Sequence, residues 1–323
     1  MKFRKKQLRN RSITLKAFAK INLSLDVIAL RKDGYHELDM IMQQIDMHDL
    51  VNIRWYPNKG EKDFRIRIGS NLYYLPTDER NLAYKAALMM YEKFGRGLKG
   101  LLRIDMKKQI PVGAGLAGGS ADGAAVIHGI NQIWGLGLNL FNMKKLGFSL
   151  GADIPFAIIG QGKTDPVLSN IYGAEKDAGN CARAGGRGER LTPLRPLNSL
   201  LLLTKPSMSI STAEVYRGID TVDIHARPDN DILEAFLREG GLDSAALNGN
   251  SANVLEEYVM KEKPAVEETK KMVREVCGDR YVQMSGSGPS IFGIFEDNQR
   301  ALASSYKKIK KIYKETYVTK TTV

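Results

Sequence analysis

The stretch from Pro111 to Asp122, Pro-Val-Gly-Ala-Gly-Leu-Ala-Gly-Gly-Ser-Ala-Asp, constrains this chain more than any other. It runs into Ala121 to Trp134, whose apolar spacing predicts a helix. Glycine lets a backbone approach a ligand closely and turn its N–H groups inward. The start of the following helix adds N–H groups with no partner inside the helix, and the positive end of its dipole. Such a combination suits phosphate. The candidate phosphate-binding residues are therefore Pro111, Val112, Gly113, Ala114, Gly115, Leu116, Ala117, Gly118, Gly119, Ser120 and Ala121. A tight glycine turn without a ligand is the alternative.

Three common phosphate loops do not fit. Gly113-x-Gly115-x-x-Gly118 matches the dinucleotide fingerprint literally. That fingerprint also needs a strand running straight into it and an acid about 20 residues later. Here Lys107 to Pro111 intervene, and Gly137 to Asn139 contains no acid. The Walker spacing nearly fits, but Gly119 stands where its lysine belongs. A protein kinase would carry His-Arg-Asp and Asp-Phe-Gly segments, and neither occurs. The loop belongs to another phosphate-binding class.

Length and composition set the frame around it. A chain of 323 residues has room for about two domains. With 43% hydrophobic and 26% charged residues it can close a core without disulfides or metal staples. Wholesale disorder and collagen-like structure are excluded. The formal net charge of +12 sits at the two ends. Residues 1–16 carry seven Lys or Arg and no acid, and residues 306–323 carry six Lys and one Glu. A nucleic-acid footprint is a basic face on a folded surface. Two basic ends are better explained as solvated termini, so no nucleic-acid partner is expected. Cys181 and Cys277 form no Cys-x-x-Cys and suit a reducing, cytoplasmic setting. His36, His48, His128 and His225 have no metal-ligand spacing. The apolar run Leu200–Leu203 is far short of the ~20 residues that span a bilayer, so no membrane partner is expected. The basic start is not followed by the apolar stretch of a signal peptide.

Periodicity predicts mixed α and β elements throughout. Ile13 to Leu30 alternates as a strand, with Ile21, Leu23, Leu25 and Val27 on one face and Lys20, Asn22, Ser24 and Asp26 on the other. Strands are also predicted at Met40 to Trp55, around Phe64, Ile66 and Ile68, and at Leu101 to Met106. Helices are predicted at Leu82 to Phe94 and Asn139 to Phe148. Pro193 and Pro196 interrupt the pattern, which sets a domain boundary near Arg190 to Asn198. Beyond it come a strand at Leu200 to Leu203 and a short helix capped by Thr212. Helices follow near Asp231 to Glu239, Ala252 to Met260 and Ala265 to Val276. Strands at Val282 and Ile291 to Phe295 flank a second glycine turn, Ser285-Gly286-Ser287-Gly288-Pro289-Ser290, which by itself could be a hairpin. A helix at Leu302 to Tyr313 and a strand from Thr316 end the chain.

Two further segments accompany the glycine loop and this second turn: Ala19-Lys20-Ile21-Asn22-Leu23 and Asp33-Gly34-Tyr35-His36. Gly151-Ala-Asp-Ile-Pro-Phe156 and Gly188-Glu189 complete the set, which spans residues 17–295. In this order the segments resemble the GHMP kinase superfamily, and within it most closely the family that acts on 4-diphosphocytidyl-2-C-methyl-D-erythritol. Asp-Gly-Tyr-His discriminates best, because other superfamily members lack it. The resemblance implies an α+β fold of two domains. These would be a basic leader at 1–16, an ATP-binding domain at 17–193 and a ferredoxin-like domain at 194–323, with the active site in the cleft between the domains. It implies ATP and Mg²⁺, a small-molecule substrate, and phosphorylation of that substrate's 2-hydroxyl in the non-mevalonate isoprenoid pathway by a monomer or weak homodimer.

The resemblance also assigns roles. Asp153 is the expected base and Lys20 its partner. A carboxylate can accept the hydroxyl proton while an ammonium favours the emerging alkoxide. Asn22, Tyr35 and His36 map to the substrate site, the last two as a stacking platform and a hydrogen-bonding group for cytosine. Tyr216 is a second aromatic wall, and Ser285, Gly286, Ser287 and Gly288 complete the substrate side. Asn81, Leu82 and Lys108 map to the adenosine side, and Ser120 to the phosphates or the metal, whose ligands the motifs leave unknown. Without the resemblance, Asp153 could be a helix cap, Lys20 the solvated face of a strand, Tyr216 a core residue and Lys108 a surface lysine. Two departures concern the loop: Ala117 and Ala121 replace a glycine and a serine of the family pattern. Ala117 then needs an ordinary backbone angle, or it carries strain. A third is residues 161–180, an insertion expected to be a surface excursion that leaves the core intact. The same fold with homoserine or a mevalonate derivative as acceptor, a dinucleotide oxidoreductase and a non-catalytic RNA-binding protein remain the rivals.

Overall fold

The computed structural model describes residues 10–57 and 62–323. Most of the basic leader, residues 1–9, lies outside the described residues. The chain forms two compact units that interleave along the sequence rather than following a single cut. One contains the residues up to Phe18, His48–Ile110 and Gly118–Ala178, and the other Ala19–Met47, Pro111–Ala117 and Gly179–Val323. Strands β1 (Arg11–Leu30) and β2 (His36–Pro57) each pass from one unit into the other.

The first unit continues with β3 (Phe64–Ser70), α1 (Leu82–Met90), β4 (Gly100–Lys107), α2 (Gly118–Trp134), α3 (Leu140–Phe148), α4 (Ile154–Thr164) and α5 (Ser169–Tyr172). Val51, Ile53 and Trp55 of β2 face Met106, Ile104 and Leu102 of β4 in antiparallel register. β3 pairs with β4 in parallel. These side chains, with Ala83, Ala86 and Ala87 of α1 and Ala124 and Ala125 of α2, form the core. Small residues line the seam of these two helices, and a Cβ at Gly123 would stand at ordinary contact distance, 3.5 Å, from the Leu82 carbonyl.

Residues 161–180 correct an expectation. They are not a surface excursion. Gln161 and Gly162 belong to α4, and Leu168 and Tyr172 are buried in the core. The Tyr172 hydroxyl accepts hydrogen bonds from Asn131 (2.8 Å) and Gln132 (2.6 Å). The buried Asp165 carboxylate accepts from the backbone N–H groups of Lys16, Val167 and Leu168. The segment is polar in composition, and Val167 and Ile171 are exposed, yet Leu168 and Tyr172 anchor it in the core.

The second unit carries β5 (Cys181–Gly186), β6 (Arg190–Pro193), β7 (Leu200–Lys205), α6 (Thr212–Gly218), α7 (Asn230–Glu239), α8 (Ser244–Asn250), α9 (Leu255–Glu262), α10 (Pro264–Cys277), β8 (Val282–Met284), β9 (Ile291–Ile294), α11 (Gln299–Lys310) and β10 (Glu315–Lys320). Leu38–Gln43 of β2 pair with β5, and β5 with β6. The last four strands form an antiparallel sheet in the order β10-β7-β9-β8, the split βαβ arrangement of a ferredoxin-like domain. Ser211, not Thr212, caps α6, accepting from the Glu214 N–H. Helix α8 was not predicted; its cap is Asp243.

β1 shows where periodicity stops. Ile21, Leu23, Leu25 and Val27 are buried as expected, but so are Lys20, Asn22, Ser24 and Asp26 on the opposite face. Each of these four polar side chains has a partner: Lys20 bonds to Asn22, Ser24 to Asn230 (2.5 Å), and Asp26 to Arg227 (2.5 Å). A buried polar group is tolerated when it is paired in this way.

Candidate active site

In the second unit, the first half of the glycine loop is clasped by β1 and by the turn after β8. Lys20 Nζ donates to Asn22 Oδ1 at 2.7 Å and to the Gly115 carbonyl at 3.2 Å. The Lys20 backbone N–H donates to the Leu116 carbonyl. Lys20 is therefore not on a solvated face. Asn22, expected near the substrate, is buried and holds the ammonium. The Ser285 hydroxyl also donates to the Gly115 carbonyl, at 3.0 Å. Gly115 has φ +72°, and a Cβ there would fall 2.2 Å from the Ser285 carbonyl. No other residue fits that position.

The second glycine turn does close a hairpin, between β8 and β9. Its packing goes beyond that of a hairpin loop. Asn253 Nδ2 donates to the carbonyls of Met284 (2.9 Å) and Gly286 (2.8 Å), and Glu256 accepts from the Met284 N–H. Ser287 shares a hydrogen bond with Thr212 at the start of α6. Gly286 and Gly288 have φ of +55° and +77°. Asn253 and Glu256 escaped the sequence reading because nothing near them in the chain marks them.

The Asp-Gly-Tyr-His segment closes the β1–β2 hairpin. Tyr35 is 51% exposed, and the Arg187 guanidinium lies 3.4 Å from its ring centroid. His36 is buried, with its ring 5.5 Å from Tyr216 at 33°. His36 Nε2 lies 2.9 Å from Asp220 Oδ1. The structure thus brings His36 and Tyr216 together. Arg187 and Asp220 were not anticipated.

In the first unit, the loop enters α2 at Gly118, with Gly119 exposed and Ser120 half-buried. Ala121 is fully buried in the apolar core, so a hydroxyl there would point away from solvent. Lys108 is not a surface lysine. Its Nζ is buried and bonds to Asp122 Oδ2 (2.5 Å) and to Asp49. Asp49 also accepts from the backbone N–H groups of Gln109 and Ile110, the entry to the loop. Burial pushes the Asp122 carboxyl up to about 7 despite the Lys108 charge. The same burial opposes a charged Lys108, but the two carboxylates outweigh it and raise its pKa. Asp49 and Asp122 lie 59 and 14 residues from Lys108, so no local spacing linked them.

Asn81 caps α1, accepting from the Ala83 N–H at 2.9 Å and donating to the Pro76 carbonyl at 2.8 Å. Leu82 is the first residue of that helix. Asp153 stands at the cap position of α4 but makes no capping hydrogen bond, and it is half-buried. Its carboxylate is not spent on the helix.

The model described as GHMP kinases N terminal domain matches residues 81–161, and GHMP kinases C terminal matches residues 232–311. A 4-diphosphocytidyl-2-C-methyl-D-erythritol kinase of Alkaliphilus metalliredigens is 40% identical over 95% of this chain and 96% of its own. One from Clostridium kluyveri is 41% identical over 95% and 99%. A solved 4-(cytidine 5'-diphospho)-2C-methyl-D-erythritol kinase superposes with a TM-score of 0.72 at 26% identity, covering 96% of this chain and all of that one. A homoserine kinase from Cytophaga hutchinsonii shares the fold, with a TM-score of 0.67 at 19% identity over 100% and 97% of the two chains. This chain belongs to the 4-diphosphocytidyl-2-C-methyl-D-erythritol kinase family of the GHMP kinases.

Proposed function

We propose that this chain transfers the γ-phosphoryl group of ATP to the 2-hydroxyl of 4-diphosphocytidyl-2-C-methyl-D-erythritol, in non-mevalonate isoprenoid biosynthesis. The products are the 2-phosphate and ADP. The carrying observation is identity of 40% along 95% of the chain to a relative named for that substrate. The homoserine kinase likeness concerns the fold alone. Residues 17–193 and 194–323 carry the N- and C-terminal kinase sequences, with Ala19–Met47, Pro111–Ala117 and Gly179–Pro193 folded into the second compact unit; the chain acts in the cytoplasm, as a monomer or weak homodimer and without nucleic acid. Among the described residues no helix is long and apolar enough to cross a membrane.

Phosphoryl transfer asks a protein mainly for positioning and charge. Residues Pro111–Ala121 supply backbone N–H groups to the ATP phosphates, backed by the α2 start. Asn81 and Leu82 lie on the adenosine side, where Asn81 acts by holding the α1 start. Lys108 supports the loop entry from behind. Asp153, uncommitted to helix capping, accepts the proton of the 2-hydroxyl. Lys20, aimed by Asn22 and Gly115, stabilises the emerging alkoxide. Tyr35, His36 and Tyr216 receive the cytosine, and Ser285–Gly288 shape the substrate side.

Mg²⁺ fits as an ion carried by ATP. Among the described residues no three His, Cys, Asp or Glu side chains gather into a metal site. Magnesium bound to a nucleotide needs few protein ligands, and Ser120 offers a half-buried hydroxyl at the helix start. Ser120 would hold the ion, which neutralises charge on the transferring phosphoryl group.

Phosphorus NMR of the protein with Mg-ATP and the diphosphocytidyl substrate tests the reaction. A new phosphomonoester signal with an intact diphosphate link is expected, and Asp153→Asn should cut its rate by about a hundredfold or more. Tyr35→Ala should weaken cytidine substrate binding by about 1–3 kcal/mol, the worth of base stacking. No product from a folded, ATP-binding protein would overturn the acceptor and direct attention to homoserine, mevalonate derivatives and then RNA.

A further inference from the structure

We propose that Asp220 makes this site selective for cytosine over uracil by fixing the tautomer of His36. The inference rests on the cytidine-site reading above. The His36 side chain is 8% exposed, and its Nε2 lies 2.9 Å from Asp220 Oδ1. An ionised carboxylate accepts hydrogen bonds and cannot donate, so Nε2 carries the proton. In the neutral ring Nδ1 is then a lone-pair acceptor.

The surrounding structure keeps the ring in place. Asp220 belongs to the single 3₁₀ turn Ile219–Thr221, which directly continues α6. One short element therefore presents both the Tyr216 ring that packs against His36 and the carboxylate that sets its proton. His36 itself begins β2, whose next residues are locked into register with β5.

The chemistry gives a direction. Cytosine carries an amino donor at its 4-position, and uracil carries an oxo acceptor there. An acceptor at His36 Nδ1 bonds to the first and repels the second. Asp220 acts through His36, and so is a positioning residue. Its side chain is 45% exposed, so replacing it leaves no buried void.

Calorimetric titration with CDP and UDP tests this without phosphoryl transfer, with a non-hydrolysable ATP analogue holding the ATP site. The unmodified protein should bind CDP about tenfold or more tighter than UDP, the worth of one hydrogen bond. Asp220→Ala should bring the ratio close to one. Asp220→Asn should keep most of it, because its amide oxygen still accepts from Nε2. Nitrogen-15 NMR of the histidine rings should show His36 protonated at Nε2 in the unmodified protein and a tautomer mixture in Asp220→Ala. An unchanged CDP:UDP ratio in Asp220→Ala, or a His36 ring protonated at Nδ1 in the unmodified protein, would overturn the proposal alone. If the unmodified protein binds no CDP, the cytidine-site reading itself falls, and this proposal with it.

Discussion

At the scale of single residues, Ala117 carries the strain that its sequence position foreshadowed. Its φ is +56°, in the left-handed region. A residue with a Cβ loses about 1–2 kcal/mol there, and glycine loses little. Glycine also costs about 0.4–1 kcal/mol through its freer unfolded chain. Ala117→Gly should therefore stabilise the protein by roughly 0.5–1 kcal/mol in urea unfolding; a destabilised variant would show that the loop is unstrained. His128 gives a pH prediction. Its Nε2 donates to the Ile158 carbonyl at 3.0 Å, its Nδ1 is buried without a partner, and burial pushes its pKa down to about 4. The unfolded imidazole takes up its proton near 6.5. The folded state thus binds fewer protons between those values. Its stability is full above pH 6.5, falls as pH drops from 6.5 towards 4 by up to about 3 kcal/mol, and levels off below 4. Denaturant unfolding from pH 7.5 to 4.5 should show this loss, and His128→Gln should flatten it. Parallel curves for the two proteins would remove His128 as the cause. Nothing in the sequence marked His128 beyond its falling in a predicted helix, since burial is a property of packing.

At the scale of elements, legibility tracked amphipathic period. Helices α10 and α11 expose one face and bury the other, and β2 alternates buried and half-buried residues from Asp49 to Tyr56, so their patterns predicted them. Residues 161–180 have no such pattern. Leu168 and Tyr172 are four apart on a one-turn helix, too short to register as a period. Deleting Gly162–Gly179 would remove both side chains and leave Asn131 and Gln132 without Tyr172. The variant should fail to fold, as judged by soluble yield and circular dichroism. A soluble, cooperatively unfolding deletion would restore the surface-excursion view. Tyr172→Phe is the milder probe, expected to cost about 1–3 kcal/mol for the two hydrogen bonds that Asn131 and Gln132 lose. The Asp49–Lys108–Asp122 cluster was equally hidden, because its members meet only through the fold.

At the scale of the whole molecule, the charge excess and the last strand share a segment. Lys307, Lys308, Lys310, Lys311, Lys314 and Lys320 are all exposed, as solvated charges should be. They do not form a loose tail. β10 pairs with β7 over six residues, and the Thr322 N–H donates to the Gln44 carbonyl. Thr316, Thr321 and Thr322 are buried. Removing Glu315–Val323 would strip one edge strand from the four-stranded sheet and leave β7 exposed. The truncated chain should lose its cooperative thermal transition. A transition unchanged by the truncation would show that β10 is dispensable.

The amino-acid order by itself determined the strand alternation of β1, the glycine loop before α2 and the motif set that names the family, because each is local or is read along the chain. The tertiary structure alone decided that the polar face of β1 is buried and paired, that Lys108 is a buried cation, and that Asp220 meets His36 184 residues away. Those facts depend on which distant groups exclude water from one another, and no local pattern encodes that.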